Sequence, residues 1–395
     1  MNPTRRLVVL TCLRWFPTGL VVPVLVLLLT GRGLTLAQVG QVMAAYSVVT
    51  LLLELPTGGL ADSWGRRPVI VGSSVLQAAS VAAFALAGTF PLIVAAAMTM
   101  GAARALSSGP VEAWFVDAVH GLGHTEIEPG LARGQMAEAL ALGAGAVIGG
   151  VLPSVVGLPS TGSGVIAFSI PFLIAAAMGV VHAVAAWLLL TGDQASGGSV
   201  TQTVGRAAGL AVRVPGIRRL MIVAVCLGIV LSGVELVSPD RVAQLVGSAT
   251  TASAVFGVLT ATAFVVSAFG AGISTRLPGR RALVGALAYL GIGVLVMGLA
   301  LPWIGAAALI YLLVYVGVGV QGPVAASLLH ARIDSPVRST MMSLESLSLQ
   351  AGGAVASLVV GWLVTHVNLV SGLAVMAAAG GLAGVTLLRD MRHSG

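Results

Sequence analysis

Three charged residues lie together in the stretch GGLADSWGRRPVI, Gly58 to Ile70, between two long apolar segments. Asp62, Arg66 and Arg67 stand out because only 8% of the 395 residues are charged. Asp62 lies at the C-terminal end of one predicted helix and Arg66 at the start of the next, so each faces the unfavourable end of its helix dipole. Helix capping therefore does not explain these charges. A hydrogen-bonded network of Asp62, Arg66 and Asp117 is expected instead, joining three helices.

Seven further charged residues fall inside the apolar segments: the five candidates Arg14, Glu54, Arg104, Glu112 and Glu235, and also Glu138 and Glu345. A charge facing lipid at a helix centre costs about 2.5 to 3.5 kcal/mol, so these side chains are expected to face the protein interior. A carboxyl group in an apolar site can titrate near neutral pH. Glu112 and Glu235 are the candidates for binding a proton or substrate, and Arg104 for tuning a neighbouring carboxyl group. Arg14 and Glu54 lie at matching depth and are expected to pair; structural ion pairs are the alternative role for all five.

The composition indicates an all-α integral membrane protein. Hydrophobic residues make up 57% of the chain, whereas about a quarter of a water-soluble domain is charged. Segments of roughly 20 apolar residues, long enough to span a bilayer as a helix, occur twelve times. They are Leu7–Leu29, Ala37–Leu60, Pro68–Thr89, Pro91–Val116, Gln135–Leu158, Val165–Leu190, Leu220–Val237, Thr251–Ile273, Ala282–Leu301, Trp303–Leu329, Thr340–Val364 and Leu369–Leu388.

The distribution of arginine predicts the orientation of the spans. All 20 basic residues are Arg, and with the N-terminus inside only Arg32 and Arg241 would lie on the outer side. Basic residues are retained on the cytoplasmic side, so both termini are expected in the cytoplasm. The net charge of +7 then needs no nucleic-acid partner, because a nucleic-acid-binding patch would require a soluble face. The Arg-, Ala- and Gly-rich composition favours a GC-rich bacterium, and therefore a bacterial plasma membrane.

Other chemistries lack the residues they require. The chain has no Lys, which a phosphate-binding loop of the GxxxxGK[ST] type and Schiff-base chemistry both need. Cys12 and Cys226 lie in different spans, whereas a zinc site needs about four closely spaced ligands. No cofactor and no metal are expected. His182 is expected to form a hydrogen bond between packed helices.

The two halves of the chain resemble each other. Residues Gly58, Asp62, Gly65, Arg66 and Arg67 correspond to Gly272, Arg276, Gly279, Arg280 and Arg281 at an offset of 214 (272 − 58). Cys12 and Cys226 share that offset. Because each half holds six spans, both copies have the same orientation, and such repeats place a substrate site near the membrane midplane. The predicted organisation is a six-helix bundle over residues 1–190, a cytoplasmic linker with an amphipathic surface helix over 191–218, and a second bundle over 219–395.

The stretch GGLADSWGRR between the second and third spans of a six-plus-six arrangement resembles the signature G-x-L-a-D-r-x-G-r-[RK] of the major facilitator superfamily. The resemblance implies a transporter in which Gly58, Asp62, Gly65, Arg66 and Arg67, with Asp117, form a latch that holds the outward-facing state. In the fifth span, three glycines resemble the exporter motif G-P-x-x-G-G, although Ala146 stands in place of the proline. These glycines, which are also suited to close helix packing, are Gly145, Gly149 and Gly150.

Taken together, these features predict a secondary transporter and not an enzyme. Proton-coupled export of small, partly hydrophobic compounds by a monomer is the leading hypothesis, with sodium as the alternative coupling ion. The direction of export rests on the resemblance alone. Proton-driven uptake or exchange of a sugar, organic acid or other metabolite is the main alternative, followed by a non-transporting receptor or a membrane-embedded enzyme.

Overall fold

A computed structural model describes residues 2–107, 110–122, 126–190, 214–276, 280–330, 332 and 338–392. Side chains are described in these ranges except at residues 55, 56, 58–63, 110, 275, 330, 338–340, 342, 391 and 392. Within these ranges all regular structure is helical. Fourteen α-helices occur, and a short 3-10 helix, Gly298–Ala300, follows α11. They are α1 Pro3–Val21, α2 Leu25–Gly31, α3 Leu36–Trp64, α4 Arg66–Leu86, α5 Phe90–Ser107, α6 Pro110–His120, α7 Glu128–Val155, α8 Ser169–Leu189, α9 Pro215–Val246, α10 Ala249–Thr275, α11 Arg281–Met297, α12 Ile304–His330, α13 Arg338–His366 and α14 Leu369–Arg392.

In the described part of the chain, these helices form twelve segments long and apolar enough to cross a membrane. The predicted number of spans and the all-α class are therefore confirmed. Two of these spans contain two α-helices: α1 and α2 make up Pro3–Gly31, and α5 and α6 make up Phe90–His120. The first span is interrupted at Pro23, which lacks the N–H that a continuous helix requires. The orientation of the termini stays a prediction.

The described residues divide into two compact units. The first unit contains the described parts of Met1–Gly33, Val49–Val200 and Ser248–Ala261, and the second contains those of Leu34–Val48, Thr201–Gly247 and Thr262–Gly395. The beginnings of α3 and α10 thus pack with the other half of the sequence. Most of the predicted linker, 191–218, lies outside the described residues, and the domain boundaries and the surface helix in the linker stay predictions.

Glycines bring helices of the first unit into backbone contact. A Cβ atom at Gly145 would collide with the backbone of Phe16 and Gly19, and one at Gly149 with the backbone of Leu20, so α7 and α1 touch directly. Gly150 packs in the same way against the start of α10, and the hydroxyl of Ser253 donates to its carbonyl oxygen over 2.7 Å. The glycine-rich run of α7 is therefore a surface for packing against two other helices.

The second unit repeats this packing with different residues. A Cβ atom at Gly228 of α9 would meet the backbone of Leu349 and Gly353 on α13, and one at Gly352 would meet Val225. The start of α3 also packs against α13, since Gly40 abuts the carbonyl group of Ser357. Glycine contacts thus join α1 to α7 in the first unit and α9 to α13 in the second unit.

Arg32 and Arg241, the two arginines predicted to lie outside, hold corresponding helix ends. The guanidinium group of Arg32 donates to the carbonyl oxygens of Phe84 and Ala85 at the end of α4, both over 2.5 Å. Arg241 donates to the carbonyl oxygens of residues 299, 300 and 301, which follow α11, over 3.0 to 3.2 Å. A guanidinium group at a helix C-terminus donates hydrogen bonds to carbonyl groups that lack intrahelical partners. Its positive charge is also attracted by the negative end of the helix dipole.

Buried polar contacts join further helices. In the first unit, Nδ1 of His182 on α8 lies 2.9 Å from the hydroxyl oxygen of Ser74 on α4, so His182 forms a hydrogen bond between helices. In the second unit, the carboxylate of Asp390 near the end of α14 pairs with Arg219 on α9 and with Arg332. Asp390 is only 3% exposed. Burying a carboxylate is costly without a cation, and two guanidinium groups supply that compensation.

The glycine contact between α1 and α7 predicts the effect of adding one methyl group. In Gly149→Ala the new Cβ atom would lie 2.6 Å from Cα of Leu20, whereas in Gly291→Ala it would meet nothing within 4 Å. Overpacking costs about 1 to 3 kcal/mol, and both variants gain the same helix propensity. Unfolding in detergent should therefore show Gly149→Ala to be less stable than Gly291→Ala by about that amount. Equal stability would mean that the two helices do not touch through their backbones.

Candidate functional site

The charged segment after the second span is almost wholly helical. α3 continues to Trp64, and α4 begins at Arg66. Between them Gly65 has a φ of +88°, a conformation that favours glycine. The chain therefore passes from one span to the next through a single residue. Asp62 falls in the last turn of α3, and its side chain lies outside the described residues, as does the predicted contact with Arg66.

The structure brings Arg66 and Asp117 together as a salt bridge between α4 and α6. The Arg66 side chain is 15% exposed and that of Asp117 is 64% exposed. The neighbouring Arg67 lies over the indole ring of Trp187 on α8, with its guanidinium carbon 3.9 Å from the ring centroid. The two arginines at the start of α4 thus contact two different helices, and each contact contributes to the packing of the first unit.

Arg14 connects the first and fourth spans. Its Nη2 atom donates to the hydroxyl oxygen of Ser107 on α5 over 3.1 Å, and its Nη1 atom donates to Thr18 over 3.4 Å. The side chain is half-buried. This contact brings a positive charge from α1 to the end of α5, three residues beyond Arg104. The predicted pairing of Arg14 with Glu54 stays a prediction.

Two threonines on α3 fix the position of Glu54. The hydroxyl of Thr50 donates to the carbonyl oxygen of Gly101 over 3.2 Å, and that of Thr57 donates to Ala105 over 3.0 Å. Glu54 is four residues after the first threonine and three before the second, so all three share one helix face. That face packs on α5. Glu54, which is half-buried, is therefore carried by the helix face that lies against the arginine-bearing helix.

Glu138 on α7 interacts with three of the charged residues in these spans, and it was not among the functional candidates selected from the sequence. Its carboxyl group lies within electrostatic reach of Arg14, Arg104 and Glu112. Arg14 is 11 residues from the start of α1 and Glu138 is 10 from the start of α7, which puts both about 15 Å from those ends. Glu138 is half-buried, whereas Glu112 is exposed. We call Arg14, Glu54, Arg104, Glu112 and Glu138 the charge cluster of the first unit.

The second unit carries Glu235 on α9. Its side chain is exposed, although Leu236 and Val237 beside it are buried. The carboxyl group lies within electrostatic reach of Tyr315 on α12. The sequence analysis selected Glu235 for its charge but gave no indication of this aromatic neighbour, because the two residues are 80 positions apart (315 − 235).

The family of this chain is identified by its match to a known protein family. Residues 7–333 match the family described as Major Facilitator Superfamily. The chain belongs to this superfamily. Comparison with curated proteins finds no match. The family and its transporter structures point to transport rather than catalysis.

Solved structures share the fold of this superfamily member. The nucleoside transporter NupG superposes with a TM-score of 0.79 at 13% identity over 99% of each chain. A bacterial homologue of the human lysosomal transporter Spinster gives 0.74 at 15% identity, over 98% of this chain and 97% of that one. A D-xylose–proton symporter gives 0.73 at 16% identity, over 97% and 96% respectively. At these identities the likeness shows the fold alone.

Exchanging the charges of the salt bridge tests what it contributes. Arg66 begins α4 and Asp117 lies in the last turn of α6, so both charges oppose their helix dipoles, at about 0.3 to 1 kcal/mol each. The double variant Arg66→Asp with Asp117→Arg keeps the pair and reverses both dipole interactions. We expect it to unfold in detergent at a higher temperature than either single variant and at least as high as the wild type. If the change in stability of the double variant equals the sum of the changes in the two single variants, the two side chains do not interact.

Proposed function

We propose that this protein is a proton-coupled secondary transporter that exports small, partly hydrophobic compounds by alternating access. The charge cluster of the first unit is the observation that carries the proposal. It combines three carboxyl groups with two guanidinium groups on membrane-spanning helices. Ionised carboxylates in such segments are costly and are a mark of ion pathways and proton relays.

The balance of charge in this cluster suits reversible protonation. With every group ionised, the three glutamates exceed the two arginines by one negative charge. Uptake of one proton makes the cluster neutral, and its release restores the negative charge. Glu138 is the proposed proton carrier because two arginines and a second carboxyl group lie within electrostatic reach of it. Arg104 and Arg14 would tune its affinity for the proton, and Glu112, which is exposed, would exchange the proton with water.

The proton gradient supplies enough energy for this cycle. A proton crossing about 150 mV releases roughly 3.5 kcal/mol. Since a tenfold ratio corresponds to about 1.4 kcal/mol, one proton per cycle sustains a concentration ratio of several hundred. The chain can therefore work without hydrolysing a nucleotide.

The direction of transport is proposed on the glycines of α7. Gly145, Gly149 and Gly150 resemble an exporter motif and pack against α1 and α10. Uptake is the competing direction, because Ala146 stands in place of the motif's proline and the match to the exporter motif is incomplete. The segment from Gly58 to Arg67 with Asp117 is proposed as the latch of the outward-facing state. The transporter is proposed to act as a monomer, with both termini in the cytoplasm, in a bacterial plasma membrane.

Purified protein in liposomes with a trapped pH dye tests the proposal. A proton gradient is imposed, and lipophilic compounds, sugars and organic acids are added one at a time. Lipophilic compounds should move protons, and Glu138→Gln should slow this flux about tenfold or more, since loss of the carrier stops coupled transport. Glu128→Gln is the matched control, because Glu128 is exposed at the start of the same helix. Its flux should stay within about twofold of the wild-type flux.

Two other outcomes would overturn parts of the proposal. A proton flux triggered by sugars or acids, and not by lipophilic compounds, would establish uptake or exchange of metabolites. A wild-type flux in Glu138→Gln would remove this residue from the coupling machinery. In that case Glu112→Gln and Arg104→Ala, measured in the same liposomes, show whether any part of the cluster takes part.

A further inference from the structure

A buried carboxylate at one end of the second unit is shared by two arginines. Asp390, near the end of α14, forms a salt bridge with Arg219 of α9 over 3.3 Å and a second one with Arg332, which follows α12. The side chain of Asp390 is 5% exposed, whereas those of Arg219 and Arg332 are 25% and 20% exposed. These three residues connect α9, α14 and the chain after α12. We call them the arginine–aspartate triad.

The charges of the triad do not balance. Two guanidinium groups contact one carboxylate, so the three residues together carry a net charge of +1 (2 − 1). In the first unit, by contrast, the salt bridge between Arg66 and Asp117 joins one cation to one anion. A largely buried charge that lacks full compensation is costly. The triad therefore favours the approach of a further anion.

Arg332 also has a hydrogen-bond donor without an acceptor. Its Nη2 atom donates to Asp390, but its Nη1 atom is buried and has no hydrogen-bond partner in the part of the chain that the structure describes. The side chain lies against the first turn of α9, since a Cβ atom at Gly216 would be 3.1 Å from Nε and 3.3 Å from Cδ of Arg332. Because a guanidinium group has five N–H donors and no acceptor, the oxygen atoms of an anion are the groups that would complete its hydrogen bonds.

The triad lies where the apolar part of two spans ends. Asp390 is the last residue of the span Leu369–Asp390, and Arg219 is four residues, or about 6 Å, after the start of α9. Exposed apolar side chains follow within two turns on both helices, namely Ile222 on α9 and Val385 on α14. Lipid headgroups lie at this level of a membrane, next to the hydrocarbon. An anion that reaches the triad from the membrane is therefore attached to an apolar body.

A phosphate group on an amphiphilic molecule matches these features. Arginine binds phosphate through paired hydrogen bonds, and its guanidinium group is weakly hydrated. Inorganic phosphate offers the same oxygen atoms but gains nothing from the apolar side chains beside the triad. A phospholipid with a net negative charge gains from the arginines and from the apolar side chains, so it is favoured as the ligand.

We propose that Arg219 and Arg332 bind the phosphate group of an anionic phospholipid at this end of the second unit. The lipid compensates the excess charge of the triad and holds the chain after α12 against α9 and α14. The inference concerns the lipid around the protein and does not depend on the proposed export function. Loss of the site should therefore change lipid binding whether or not the protein moves protons.

Native mass spectrometry of the purified full-length protein, with dioleoylphosphatidylglycerol titrated into the detergent, tests this site. The wild type should bind its first phosphatidylglycerol more tightly than dioleoylphosphatidylcholine, whose headgroup has no net charge. Arg332→Gln should weaken the binding of phosphatidylglycerol about tenfold or more, because a hydrogen bond between charged groups is lost. Arg133→Gln is the matched control, because it removes an exposed arginine of the first unit, and its affinity should stay within about twofold of the wild-type affinity.

The variant Asp390→Asn distinguishes a lipid site from a purely structural network. Asparagine keeps an oxygen acceptor for the arginines but removes the negative charge, so this variant should bind phosphatidylglycerol at least as tightly as the wild type. A structural network would instead lose lipid binding in Asp390→Asn as much as in Arg332→Gln, and that result would overturn the proposal. Arg332→Gln that elutes as aggregate is replaced by Arg332→Lys, which keeps the charge without the paired hydrogen bonds and should weaken binding about threefold or more.

Three other results would also contradict the proposal. Equal affinity of the wild type and Arg332→Gln for phosphatidylglycerol would show that the triad does not bind the lipid. Equal affinity of the wild type for the two lipids would show that the negative charge is not recognised. If inorganic phosphate displaces phosphatidylglycerol from the wild type and binds in its place, the site takes free phosphate and the assignment to a lipid is wrong.

Discussion

Direct contact between helix backbones is the constraint on which the rest of this structure depends. In lipid there is no hydrophobic gain from pressing one apolar helix against another, so association relies on close packing and hydrogen bonds. The chain meets this requirement by placing glycines where its helices cross. Gly145 and Gly149 hold α7 on α1, while Gly228 and Gly352 hold α9 on α13. A side chain at any of these positions would force the helices apart.

Close packing of the helices also determines which charges can meet. Once α1 lies directly on α7, Arg14 and Glu138 are brought to the same level of the first unit, and α5 adds Arg104 beside them. Charges that a lone helix would expose to lipid become mutually compensating. The same principle operates at the helix ends, where Arg32 and Arg241 bind carbonyl groups that their helices leave without partners. Few charges are present, and those described here have structural or proposed functional contacts.

The sequence predicts the spans well because each is a local property of about 20 consecutive residues. It also predicts the family, because the loop motif is compact and specific. Contacts between distant helices are harder to predict. Glu138 looks like any other glutamate near the end of a span until α7 is placed against α1. Glu235 and Tyr315 come within electrostatic reach of each other only once α9 and α12 pack together. Arg32 and Arg241 are exceptions to the rule that arginines lie on the cytoplasmic side. Only the structure reveals that each of them binds carbonyl groups at the end of a helix. The spacing of residues along one helix carries no information about these contacts, since it indicates only which face of that helix each residue lies on.

The central claim, that substrate export is driven by proton entry, is tested most directly by the substrate gradient at equilibrium. Protein in liposomes is given a series of fixed pH differences at zero membrane potential, and the ratio of a lipophilic cation inside to outside is measured once it stops changing. Exchange of substrate for protons predicts that the cation accumulates on the more acidic side, with the logarithm of the ratio rising linearly with the pH difference. A ratio that does not change with pH, in liposomes shown to transport the cation, would contradict proton coupling, and accumulation on the more alkaline side would establish uptake together with the proton.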